Sequence, residues 1–226
     1  MIDPNNRPGG DTLILTAKSA NKIQWFDAST LAHIADLDMP ASTHELIRSS
    51  DGKKIYASVY GGGIFGKNKD PDRRVGVIDL AAKSLERTID VGENIAPHSV
   101  MMDAAGTLWS TGELGNAVLA IDPQTNKVER IDIGGSPHWI AVSHVTGELF
   151  ASFKTREAVA VLDTATRTVL GTIANGETLF VCAHWKGVVR RARLISCAGC
   201  GYRPTGAMSA PPRMSMVSRP STMPQR

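Results

Sequence analysis

No stretch of the 226 residues approaches the roughly 18 consecutive apolar positions that a membrane-spanning helix requires, so no membrane partner is expected. The opening residues, MIDPNNRPGGD, have neither the basic start nor the apolar segment of a secretory signal. As written the chain is expected in the cytoplasm, with export of complete relatives left open. Cysteine is scarce. Cys182, Cys197 and Cys200 all lie at or beyond the end of the repeats described below, so no disulfide staples the body, and the lone Cys197-Ala-Gly-Cys200 pair is assigned no role. Acid is missing from one end: residues 185–226 hold 8 Lys/Arg and no Asp or Glu, which leaves 17 basic against 22 acidic residues before them. The overall charge of +3 therefore divides into a body at −5 and a tail at +8, and no specific nucleic-acid binding is expected of the body. Helical periodicity is missing as well.

What the sequence does have is a repeat. THELIRSSDGKKIYASVY from Thr43, APHSVMMDAAGTLWSTGE from Ala96 and SPHWIAVSHVTGELFAS from Ser136 each place a histidine before an alternating apolar stretch, then a Gly turn, then a second such stretch. Four further stretches end in an acid: IQWFD, VGVID, AVLAID and VAVLD. Their aspartates, Asp27, Asp79, Asp122 and Asp163, are spaced by 52, 43 and 41 residues. Small and polar residues follow each one, as suits a tight reversal in which the carboxylate accepts a backbone N–H two residues on. A fourth alternating stretch completes each unit: HIADLDM, LERTIDV, VERIDI and TVLGTIA. Four short strands at a period near 40 residues predict the blades of a β-propeller. A β-sandwich also explains short strands, but not His, Gly and Asp recurring with one period.

These units resemble those of the YVTN-repeat (YncE-like) β-propellers, whose blades pair a Pro-His-led inner strand and an Asp-Gly turn with a VxVID strand. The resemblance covers residues 12 to about 184 and implies kinship with the seven-bladed lactonase-like propellers. The fold is therefore expected to be all-β, a partial β-propeller of about four four-stranded blades spanning residues 1–184. NGETLFVCAHW resembles a returning strand after Asn175-Gly176, but comes too soon after Asp163 to leave room for an inner strand before it. Residues 185–226, rich in Arg, Ser, Pro and Met and without alternation, are expected to be disordered or out of frame. An arc of blades leaves sheet faces uncovered, which favours self-association.

Chain direction gathers the candidate site. The inner strand leaves from its histidine and the next strand returns beside it, so one funnel face should collect His44 with Tyr60, His98 with Glu113, and His138 with Lys154, with His184 joining from a fifth returning strand. Such a ring is suited to a small ligand or a protein partner. Imidazoles also suit Zn, Cu, Fe or Ni, but strand capping by each histidine against the neighbouring blade is the preferred expectation, so no metal and no cofactor are assigned. The second unit carries an insertion, YGGGIFGKNKDPDRR. Gly61, Gly63 and Gly66 match G-x-G-x-x-G, but no helix follows, so a dinucleotide site is not expected. Its glycine amides with Lys67, Lys69, Arg73 and Arg74 are suited either to an anion or to a plain solvated loop. Catalysis is the less favoured alternative: GTLWSTGELGNAVLAIDPQTNKVERIDI is also similar to blades of streptogramin-lyase relatives, where His and Glu act with Mg. A lactonase-like or lyase-like reaction would have to draw on Glu45, Glu113 and the histidines.

Overall fold

The computed structural model describes residues 11–174. His184, the Asn175-Gly176 turn and the 185–226 tail lie outside the described residues. Among the described residues fifteen strands form four antiparallel meanders in chain order. The first has three strands, β1 (Thr12–Ala17), β2 (Lys22–Asp27) and β3 (His33–Asp38). The second holds β4 (Thr43–Arg48), β5 (Lys54–Gly62), β6 (Asp70–Asp79) and β7 (Ser84–Asp90). The third holds β8 (Pro97–Met102), β9 (Leu108–Gly112), β10 (Ala117–Ile121) and β11 (Val128–Asp132). The fourth holds β12 (Pro137–Val142), β13 (Glu148–Phe153), β14 (Ala158–Asp163) and β15 (Thr168–Ala174). The only helical element among the described residues is a single 3-10 turn at Lys18–Ala20, and no helix there is long and apolar enough to cross a membrane.

Each sheet packs face to face on the next, and the core lies in the seams between them. Ile23 and Trp25 meet Ile55, Ala57 and Ile78 in the first seam. Val75 and Val77 meet Val100, Leu119 and Ile121 in the second. Trp109 and Val118 meet Ile140, Leu149 and Leu162 in the third. Blades cover both faces of β9 and β10, which are buried along their whole length; β10 is apolar throughout, and β9 adds only the small polar Ser110 and Thr111. Serial face packing of four-stranded meanders, with β4, β8 and β12 as neighbouring inner strands, is a partial β-propeller and not a two-sheet sandwich. β15 is exposed along its length, and Leu13 and Leu15 on β1 and Ile34 on β3 are exposed on the first blade.

The aspartate turns form as the sequence predicts. Asp27 Oδ1 accepts the N–H groups of Ser29 and Thr30 at 2.9 and 2.8 Å, and Asp79, Asp122 and Asp163 do the same for the two residues at the same offsets. Hydrogen bonds favour the charged carboxylate: the Ser29 hydroxyl with the Thr30 and Ser29 N–H groups holds Asp27 down at about 2, and the Ala82 N–H with Lys54 holds Asp79 there. Four residues past each aspartate, Leu31, Lys83, Asn126 and Arg167 adopt positive φ to close the reversal.

Candidate functional site

The inner strands share a defect that aims the histidines. Pairing with the returning strand shifts register between Thr43 and Leu46, between Pro97 and Val100, and between Pro137 and Ile140. A bulge inserts one residue and re-aims a side chain, and here it falls at His44, His98 and His138. Their rings touch from blade to blade, tilted by 37° and 42°, with centroids 3.8 Å apart for His44 and His98 and 4.0 Å for His98 and His138. Trp139 closes one side, edge-on to His98 and His138 at 5.3 and 5.2 Å.

The returning strands bring the second set. Counted from the residue level with each turn aspartate, Thr12, Lys54, Thr107 or Glu148, the seventh residue is Lys18, Tyr60, Glu113 or Lys154. The last three are anchored alike, through backbone N–H donation to the carbonyls of Ser42, Ala96 and Ser136 at 2.7, 3.3 and 2.9 Å. Glu113 is the hub, and none of its side chain is exposed. The Tyr60 hydroxyl donates to its Oε2, while the Lys154 ammonium lies 3.0 Å and His138 Nε2 3.5 Å from its Oε1. Lys18 reaches over the Tyr60 ring at 4.6 Å, and Lys154 over the Phe65 ring at 4.7 Å.

Burial sets the protonation states. Desolvation, followed by repulsion from Lys18 and Lys154, lowers His44 to about 3; desolvation and Lys154 lower His138 to about 2. His98, enclosed between the other two rings, is held well below the ordinary histidine range for the same first reason. Tyr60 is raised by burial and by its bond to Glu113, so the phenol stays protonated. Glu45, behind His44, is pushed up to about 8 by burial, against a 3.2 Å hydrogen bond from Ser99 Oγ.

The structure thus places His44, Tyr60, His98, Glu113, His138 and Lys154 in one cluster and adds Lys18, Phe65 and Trp139. Lys18 was legible as the first-blade counterpart of Tyr60 once the units were aligned on their aspartates. Two differences from expectation concern the histidines. His98 and His138 are only 1% and 3% exposed, so these two rings are covered, while His44, Lys18 and Lys154 are half-buried at the edge of the cluster. Nor does the His98 ring cap the neighbouring blade, because neither of its nitrogens has a hydrogen-bond partner among the described residues. A hydroxyl does that work: Ser58 Oγ donates to the His98 carbonyl at 2.6 Å, and Thr111 Oγ1 to the His138 carbonyl at 2.8 Å. The same oxygens accept the N–H of Glu45 and Ser99, each at 2.9 Å, tying inner strand to returning strand to next blade.

The insertion lengthens the β5–β6 hairpin. Gly61 and Gly63 take φ of +89° and +102°, and a Cβ on either would lie 2.1 or 2.7 Å from a carbonyl oxygen across the hairpin. Its cations are divided. Arg73 pairs with Asp90 and Arg74 with Asp72, while Gly66, Lys67 and Lys69 are exposed near the tip. Asn68 Nδ2 donates to the Tyr60 carbonyl at 3.1 Å, so the loop is tethered to the cluster. Three surface clefts lie elsewhere, and none is lined by His44, His98 or His138.

No protein-family model matches the sequence, and no curated protein is significantly similar to it. Among solved structures, Kuenenia stuttgartiensis hydrazine synthase is similar, with a TM-score of 0.59 and 20% sequence identity over 73% of this chain. The match spans 46% of the hydrazine synthase chain, so this chain covers about half of that length. At such identity the likeness shows the propeller-like fold alone, and 1058 solved chains match, as befits a scaffold that hosts many functions.

Proposed function

We propose that the chain is a YVTN/YncE-like propeller scaffold that binds a small polar ligand where Lys18, Tyr60, Glu113 and Lys154 meet the three histidines. One observation carries this reading. A single repeat position holds Lys, Tyr, Glu and Lys in successive blades, while the neighbouring histidine and hydroxyl positions stay constant. Burying a carboxylate at the hub is unfavourable unless it is paired, and the fold repeats without it in the other blades. Position-specific chemistry on a constant frame is what a binding site needs.

A thermal-shift panel of small organic acids, sugars and amines, run in chelator, tests it. One ligand class should raise the melting temperature of the 226-residue chain, and Glu113→Gln or Tyr60→Phe should remove the rise. A shift that survives both variants would place the ligand elsewhere, and no shift from any class would reject the reading. A lactonase-like or lyase-like activity is the alternative, favoured by Glu45, whose proton is retained near neutral pH as a general acid requires. Turnover of a lactone or ester panel that disappears in Glu45→Gln would establish it.

A further inference from the structure

We infer that His98, Glu113 and His138 form a site for a divalent transition-metal cation of the Zn2+ type, which enters by taking the place of the Lys154 ammonium at Glu113 Oε1. The proposal rests on reading this cluster as a binding site and names what it takes. It departs from the expectation that no metal is held.

Geometry comes first. One ligand atom from each of the three residues lies within 4.8 Å of the others, and all three residues are buried. Bonds of about 2.0–2.2 Å in a tetrahedral site set donors about 3.4 Å apart, and His138 Nε2 and Glu113 Oε1 are already at 3.5 Å. Two imidazoles and one carboxylate are a donor set for Zn2+ and its neighbours in the first row, whereas Ca2+ and Mg2+ call for oxygen alone.

His98 supplies an independent indication. Its ring is buried with both nitrogens unpartnered among the described residues, and a buried polar side chain without a partner is destabilising unless something else satisfies it. Histidine capping does not account for it, because the Ser58 hydroxyl and the His98 carbonyl make the interblade bond. A cation on one ring nitrogen does.

The surroundings fit as well. Tyr60 holds Oε2, which fixes the carboxylate and leaves Oε1 to face the histidines, as an outer partner of a metal ligand does. Lys154 shows that Oε1 is already set to face a positive charge. Its side chain is 17% exposed and otherwise lies against Phe65, so it has a route to solvent when a cation of higher charge and better donor match arrives.

The test uses the whole 226-residue chain with Cys182, Cys197 and Cys200 replaced by Ser, so that thiolates do not ligate. Equilibrium dialysis against Zn2+ should give one ion per chain, and Co2+ should develop visible d–d bands at the same stoichiometry. Tyr60→Phe should weaken binding by about 10–100-fold, the range for an outer partner. Glu113→Gln and His98→Gln should abolish it. Lys154→Met, which leaves the scaffold bonds in place, should tighten it by about tenfold. Absence of stoichiometric Zn2+ in both the cysteine-free chain and its Lys154→Met variant overturns the proposal, as does binding indifferent to Glu113→Gln in a chain with an unchanged circular dichroism spectrum. If organic ligands still shift the melt in chelator while Zn2+ does not bind, only the metal proposal fails. If neither binds, the reading of the cluster fails with it.

Discussion

The hydroxyl of Ser58 on one blade donates to the carbonyl of His98 on the next, 2.6 Å away and fully buried. Removing the hydroxyl strands two groups at once, because the same oxygen accepts the N–H of Glu45. Ser58→Ala is therefore expected to lower stability by about 1–3 kcal/mol. Thr111→Val, which keeps the shape and removes the bonds to His138 and Ser99, should cost about as much. Urea unfolding of the two variants checks this, and midpoints equal to that of the parent would reject the stitch.

Stability should peak near pH 6.5. Below that value an unfolded histidine takes up a proton, while folded His44, lowered to about 3, does not, and His98 and His138 shift in the same direction. Acidification from 6.5 towards 3 therefore favours unfolding. Glu45 works in the opposite sense. Between 4.5 and about 8 the unfolded carboxyl is ionised while the folded one keeps its proton, so stability falls as pH rises through that window, by up to about 1.4 kcal/mol per unit. Three histidines outweigh one glutamate on the acid side, and Glu45 sets the slope between 6.5 and about 8. Melting curves of Glu45→Gln should lose the alkaline decline and keep the acid one.

Gly115→Ala should destabilise the chain by about 1–3 kcal/mol through overpacking. Its new Cβ would lie 2.6 and 2.8 Å from Cγ2 and Cβ of Ile95, and the branched carbon next to the main chain has little room to yield. Ile95 accepts the N–H of Leu114 through its own carbonyl, so the shift would reach Glu113. A reduced melting temperature with weaker ligand response is the expected pair of results. An unchanged melt would show that Ile95 moves freely.

Self-association is expected through the apolar residues left in solvent. Leu170 and Ile173 on β15 are 56% and 53% exposed, and Leu15 on β1 is 43% exposed. Sedimentation velocity should show mass rising with concentration, and Leu170→Lys combined with Ile173→Lys should reduce it. A monomer at all concentrations would refute this.

The strands, their order and the aspartate turns were legible because each depends on short-range signals: period-two alternation, Gly at the inner hairpins, and a carboxylate that closes its own reversal. The gathering of His44, His98 and His138 also followed from chain direction. What stayed hidden depends on contacts between blades. Ser58, Thr111 and Ser152 stand two places before Tyr60, Glu113 and Lys154 in every unit, yet a Ser or Thr in an alternating strand looks like any polar position until the next blade brings a carbonyl to it. Bulges at the histidines are equally silent, because one extra residue leaves the composition of a strand unchanged. That is why the rings were expected side by side on a funnel face, whereas they lie against one another with His98 and His138 covered.

The equivalence of Lys18, Tyr60, Glu113 and Lys154 has an evolutionary consequence. Each stands at the end of a hairpin whose turn, seam and hydroxyl stitch are set by other residues, so the blade pattern is independent of which residue holds the position. Blade duplication followed by drift writes one letter per blade at this address. The letters are read together, because Tyr60 and Lys154 both compensate the buried Glu113 carboxylate, so a change at one of these three addresses strands a charge and calls for a matching change at another.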